Sequence, residues 1–178
     1  MESNPQNTTE KKAVHRRLWG DILAFLLKLG AAALAGWILF GCVFGLAMVE
    51  GEQMHPRLRD GDLMVYFRVQ KDYHLGDVVT FTQDGQRFTG RITAQEGDVV
   101  ELDQNGGLRI NGNVQNEEIF YPTFPPEEGI SFPYQVPQGS VFLLCDFRTN
   151  ATDSRSYGAV ELAELDGKVI TILRRRGI

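Results

Sequence analysis

The chain has 178 residues and a formal net charge of −5, room for one folded domain and one additional segment. Its charge is segregated: residues 1–28 hold five Lys/Arg against three Asp/Glu, whereas residues 49–178 hold thirteen against twenty. An acidic main domain excludes nucleic acid as a partner, and two cysteines in different segments (Cys42, Cys145) with three scattered histidines (His15, His55, His74) exclude both a disulfide framework and a metal centre.

In chain order, residues 1–28 form a polar and basic N-terminal segment, with Leu18, Trp19, Ile22 and Phe25 on one apolar helical stripe. Residues 29–49 contain no charged side chain. As a helix they would measure roughly 30 Å, the thickness of a bilayer core. The run therefore reads as a single transmembrane helix. Lys11, Lys12, Arg16, Arg17 and Lys28 precede it, which places the N-terminus in the cytoplasm and residues 50–178 outside. The competing reading is a cleavable signal peptide with Gly45 and Ala47 at the cut, but the apolar run is longer than such peptides use. Gly41 and Gly45 also form a GxxxG match compatible with a homodimer. A chance pair in a Gly- and Ala-rich span is the simpler account.

From Glu50 onward the pattern is strand and turn. Residues 63–69, 77–82, 87–93, 98–102, 108–110, 140–144 and 168–173 are dense in β-branched and aromatic side chains. Gly-Asp, Asp-Gly and Asn-Gly pairs punctuate them. Only residues 159–165 have helical character. The expected class is mainly β, one antiparallel domain behind the helix. Residues 119–137 carry five of the seven prolines, with Phe120, Tyr121, Phe124, Phe132 and Tyr134. Such a stiffened aromatic loop either presents a partner surface or packs down on its own domain.

Several short motifs occur in a fixed order. Gly51-Glu52-Gln53-Met54-His55-Pro56-Arg57-Leu58 leads to Gly61-Asp62. Gly76-Asp77-Val78-Val79 follows, then Arg87-Phe88-Thr89-Gly90-Arg91-Ile92 and Gly97-Asp98-Val99-Val100-Glu101. Ile110-Asn111-Gly112 and Val136-Pro137-Gln138-Gly139 come next. Cys145-Asp146-Phe147-Arg148-Thr149-Asn150-Ala151-Thr152-Asp153-Ser154-Arg155 closes the series. Together they resemble type I signal peptidases, whose nucleophile box reads roughly G-x-S-M-x-P-T-L-x-x-G-D and whose closing box reads G-D-N-R-x-N-S-x-D-S-R. The resemblance implies the signal-peptidase fold. It also implies that the nucleophilic serine is replaced by Gln53 and the lysine base by Gly90. Cys145, Phe147 and Ala151 depart from Gly, Asn and Ser in the closing box.

A Ser/Lys hydrolase needs a hydroxyl and a neutral amine in contact. An amide and a bare hydrogen supply neither, so a pseudo-peptidase without cofactor is expected. His55 has no neighbouring hydroxyl to activate, although on an extended segment it would share a face with Gln53. The residues left to work are a peptide- or partner-binding groove at Gln53, Met54, His55, Gly90 and Arg91. Asp146, Arg148, Asp153, Ser154 and Arg155 read as structural, with ion pairs at turns. The terminal Arg174-Arg175-Arg176 reads as a solvated tail, or less simply as a contact to anionic lipid or wall polymer.

Within the superfamily, the substitutions at Gln53 and Gly90, the Val43-Phe44-Gly45 exit, Gly90-Arg91-Ile92, Gly106-Gly107-Leu108, Phe132-Pro133-Tyr134 and the C-terminal residues 173–178 resemble the SipA-like pilus assembly proteins of Gram-positive cocci. That resemblance implies partners among pilin subunits or a class C-type sortase. The alternatives are a divergent active membrane-bound signal peptidase and a structural membrane scaffold.

Overall fold

The computed structural model describes residues 5–69, 71–83, 85–115, 119 and 121–174, except for the side chains of residues 5–14, 16 and 17. Phe120, Arg175 and Arg176 lie outside the described residues. The chain divides into two units, Met1–Cys42 and Val43–Ile178.

The first unit is helix α1 (Pro5–Ile38), which passes into a wider turn at Leu39–Val43. The apolar stretch Leu18–Val43, 26 residues long, has the length and composition to cross a bilayer.

The uncharged run expected to be helical through Val49 changes character at Phe44. Strand β1 (Phe44–Met48) pairs with β2 (Leu63–Phe67) from Phe44–Phe67 to Met48–Leu63. Its burial alternates: Gly45 and Ala47 are inside, Leu46 and Met48 outside. An uncharged run alone does not separate helix from strand; only this period of two does. Gly45 is required here by a tyrosine. A Cβ at that position would lie 2.1 Å from the Tyr66 ring, and Tyr66 is fully buried. The GxxxG reading therefore fails, because Gly45 belongs to a strand. Gly45 and Ala47, the small residues of the cleavage reading, are both buried in it.

The remaining strands are β3 (Val78–Gln83), β4 (Gln86–Gln95), β5 (Val99–Leu102), β6 (Leu108–Ile110), β7 (Asn113–Val114), β8 (Tyr134–Gln135), β9 (Ser140–Leu144), β10 (Val160–Glu161) and β11 (Leu165–Leu173). They build two antiparallel sheets, in the orders β1-β2-β11-β3-β4-β9-β10 and β7-β6-β5-β8. The region 159–165, expected to be helical, forms β10 and a 3-10 turn at Leu162–Glu164. Val160 is drawn into the sheet opposite Val141. The short helix is instead α2 (Ser154–Tyr157), capped by the Asp153 carboxylate accepting from the Arg155 N–H.

Strand β9 is buried at all five positions and organises the core. Leu143 packs with Val79, Phe81, Ile92 and Leu165. Phe142 and Leu144 pack with Val100, Ile110 and Val136. One residue beyond the strand, Cys145 packs with Met54, Met64 and Tyr66.

Replacing Gly45 by Ala forces a methyl into the Tyr66 ring and should cost about 1–3 kcal/mol of domain stability. Gly41→Ala, whose Cβ would only touch Trp37 Nε1 at 3.9 Å, should change it by under about 0.5 kcal/mol. Thermal unfolding of the two variants separates a strand role from a helix-pairing role.

Candidate functional site

The loop of residues 49–62 carries Gln53 and is closed at its base. Val49 N–H donates to Asp62 O at 2.8 Å, Gly61 N–H to Val49 O at 2.9 Å, and Gly51 N–H to the Asp60 carboxylate at 2.8 Å. Met54 and Leu58 bury their side chains beneath it. Arg174 locks the closure: its guanidinium meets the buried Asp62 carboxylate at 2.7 and 3.0 Å and donates to Arg57 O at 2.9 Å. The expectation of a solvated tail is thus wrong for Arg174, whose partner lies 112 residues upstream.

Gln53 sits beside a groove walled by residues 48–51, Met54 and Met64 on one side and residues 86–89 of β4 on the other. β4 pairs with β3 from Gln86 onward but with β9 only from Arg91 onward. β1 pairs with β2 alone. Two strand edges thus border the groove, a geometry able to accept an extended peptide by main-chain hydrogen bonds. Among the described residues, no lysine, serine or histidine lines this wall. The Thr89 hydroxyl is turned to Met64 Sδ at 3.9 Å.

Cys145 occupies the space between Gln53 and β4. Its Sγ lies 3.7 Å from Gln53 Oε1 and 3.6 Å from Thr89 O, a weak donor to both. Burial pushes the thiol far above its ordinary pKa, and the Asp153 carboxylate pushes it further. It is a neutral S–H, and a neutral thiol is not a nucleophile. Gln53 O accepts from Phe147 N–H at 2.9 Å, and Asp146 N–H points at Met54 Sδ at 3.4 Å, so the loop and the residues after β9 are tied at two points.

Gly90 is buried in β4 and faces the core with Phe88 and Ile92. A Cβ there would sit 3.1 Å from Leu143 Cβ. Neighbouring Arg91 points to the opposite face and clamps the Asp146 carboxylate through two bonds of 2.6 and 2.8 Å. His55 does not share a face with Gln53 as an extended segment would require. The chain turns here, His55 N–H donating to Glu52 O at 2.9 Å, and the ring lies 6.1 Å from that of Phe147.

The other grouped residues form one buried network. Asp153 accepts from Cys145 N–H at 3.1 Å and from Arg155 Nε at 2.8 Å and Nη2 at 2.9 Å. Arg155 donates onward to Arg148 O at 2.7 Å and Phe124 O at 2.9 Å. Arg148 reaches Cys145 O at 2.7 Å and the Thr123 hydroxyl at 2.8 Å. Ser154 Oγ accepts from Leu143 N–H at 2.9 Å. The proline-rich loop is thereby bolted to the domain. Tyr121 rests on Phe147 with ring centroids 4.7 Å apart, and Phe132 and Tyr134 lie against Phe142 at 6.4 and 5.6 Å. Of the described aromatic residues that could present a partner surface, Tyr121, Phe124, Phe132 and Tyr134, only Phe124 is exposed, at 45%.

A family profile described as signal peptidase, peptidase S26 matches residues 22–173. The chain belongs to this family. Among curated relatives, the probable signal peptidase I-1 of Synechocystis is 29% identical over 135 residues, covering 68% of this chain and 67% of that protein. Signal peptidase I of Bacillus amyloliquefaciens is 26% identical over 166 residues, covering 88% and 85%. A solved signal peptidase I from Enterococcus faecalis is 27% identical, covers 56% of this chain and 97% of its own, and superimposes with a TM-score of 0.46. The chain is thus a signal peptidase I homologue with the family's antiparallel β domain and one apolar N-terminal helix.

Hydrogen bonds from Arg174, followed by the Arg59 N–H, hold the Asp62 carboxyl below its ordinary pKa against the opposing effect of burial. A depressed carboxyl stabilises the fold fully above the unfolded value of about 3.9 and loses that contribution as pH falls through the lower folded value. Stability measured from pH 6 down to pH 2 should therefore fall more steeply below about pH 4 in the native protein than in Asp62→Asn.

Proposed function

We propose that this protein is a catalytically inactive signal peptidase I homologue. In this reading it is a membrane-anchored assembly factor for sortase-dependent pilus polymerisation, with residues 1–28 in the cytoplasm and the β domain outside. It grips a pilin subunit or a class C-type sortase where a peptidase would cut.

The observation that supports this most is Cys145. Where the resemblance gives the nucleophile and the base, this chain has Gln53 and Gly90, and a neutral thiol fills the gap between Gln53 and β4. Three changes act together: the hydroxyl is absent, the amine is absent, and the space in which they would meet holds a sulfur. The groove and its two strand edges remain, so binding by strand addition survives while cleavage does not. The pilus half of the proposal rests on the resemblance at residues 43–45, 53, 90–92, 106–108, 132–134 and 173–178.

The similarity to proteins named signal peptidase I favours a second reading, a divergent active membrane-bound signal peptidase. A structural membrane scaffold working through Phe124 is the third. Crosslinking from residue 53 or from residue 124 separates groove binding from loop binding.

The test is a titration of the full-length protein in nanodiscs against purified backbone pilin and against sortase. Saturable binding to one of them is expected, with crosslinks from residue 53; binding to neither would refute the assembly role. Gln53→Ser with Gly90→Lys should restore almost no cleavage of a signal-peptide substrate, because Leu143 and Cys145 fill the space. Strong cleavage by that double variant would refute the packing argument.

A further inference from the structure

Strand β1 begins at Phe44 and pairs with β2 alone, so one edge of its backbone is open. An open strand edge does not sit in hydrocarbon. The segment able to cross a bilayer therefore ends at Val43. Leu29–Val43 alone would measure roughly 22 Å as a helix, short of a core of about 30 Å. About 20 residues are needed, and counted back from Val43 they take in Lys28.

The tryptophans place that lysine. Trp19 and Trp37 stand nine residues before and nine residues after Lys28, and both point to the opposite side of α1. They are roughly 27 Å apart along the axis, the spacing of the two interfaces where tryptophan collects. Lys28 then lies near the midplane. A lysine stem does not span the roughly 13 Å from there to either tryptophan level. A charge at that depth is costly unless it is paired. Its neighbours three and four residues away are Ala24, Phe25, Ala31 and Ala32, and among the described residues it has no ion-pair partner. Asp21 is two turns away, roughly 10 Å along the axis, beyond reach.

The helix sorts its side chains around this charge. At 100° per residue, Asp21, Ala24, Lys28, Ala31, Ala32 and Ala35 share one face, with Phe25 at its edge. Trp19, Ile22, Leu23, Leu26, Leu34 and Trp37 occupy the opposite face, interrupted by Gly30 and Ala33. The bulky face suits lipid tails. The alanine face lets a second helix come close to Lys28.

We propose that the Lys28 face of α1 binds the transmembrane helix of a partner protein, through a carboxylate that the partner carries near the bilayer midplane. This rests on reading Leu18–Val43 as a membrane anchor, and it is independent of the groove at Gln53. A second copy of this chain does not fit the face. Two copies enter the membrane in the same orientation, so a twofold pair would set Lys28 against Lys28 and Asp21 against Asp21.

The test uses the full-length chain in vesicles of phosphatidylcholine and phosphatidylglycerol. The probes are synthetic transmembrane helices of leucine and alanine with glutamate, glutamine or lysine at the centre and a dansyl group at one end. Both tryptophans of the chain lie on α1, so energy transfer from tryptophan to dansyl reports contact with this helix. The glutamate helix should reach half-maximal transfer at about one tenth of the density that the glutamine helix needs, with the lysine helix weaker still. Lys28→Leu should abolish that preference, and Lys28→Arg should keep it. Equal transfer to all three helices, or a preference that survives Lys28→Leu, would overturn the pairing. So would a dimer of this chain that excludes all three, which would put a second copy on the face. Retention of the chain in the vesicles after an alkaline carbonate wash separates the two layers of the argument. A chain that washes out sinks the anchor and the pairing with it, whereas a retained chain without the glutamate preference sinks only the pairing.

Discussion

Cys145 is held through both of its backbone polar groups. Its N–H is taken by the fully buried Asp153 carboxylate and its carbonyl by the buried Arg148 guanidinium. Asp153 is in turn held by Arg155, which also ties down the Arg148 carbonyl and the Phe124 carbonyl. An ionised carboxylate is tolerated at such depth only when paired and fully hydrogen-bonded. The result is a rigid frame that sets the thiol between Gln53 Oε1 and Thr89 O. In that frame a side chain at residue 145 decides what the cleft can hold.

The fold places this frame by way of β9. Buried on both faces, β9 carries Leu143 under Gly90 and delivers Cys145 to the cleft two residues later. The loop of residues 49–62 arrives from the opposite direction and is fixed independently, by its own backbone closure and by Arg174. The cleft is therefore the meeting of two separately stabilised parts, joined by the Phe147–Gln53 and Asp146–Met54 contacts. On the proposed reading, in which nucleophile and base are lost, both parts still stand, which is how a binding groove can outlast its chemistry.

Much of the β domain was legible from local signals: β-branched runs between Gly-Asp and Asp-Gly turns located seven of its strands to within a few residues. β1 was not, because an uncharged run next to an apolar helix looks like more helix until its pairing with β2 is seen. Neither was the reason for Gly45, which depends on a tyrosine 21 residues away in sequence. Positions 53 and 90 were marked by motif order. Cys145 was visible only as a departure from a pattern, since its contacts to Gln53 and Thr89 span 92 and 56 residues. The same distance problem hid Arg174. The aromatic loop left two readings open in sequence, and only the rings of Phe147 and Phe142 show which side chains are packed.

The central claim is that the cleft grips without cutting. Its most direct measurement is incubation of the unaltered full-length protein, in lipid, with a secreted precursor that still carries its signal peptide, read by mass spectrometry of the new N-terminus. The account predicts an intact precursor at every pH and protein concentration tried. A cleaved product whose formation tracks the amount of this protein would contradict it.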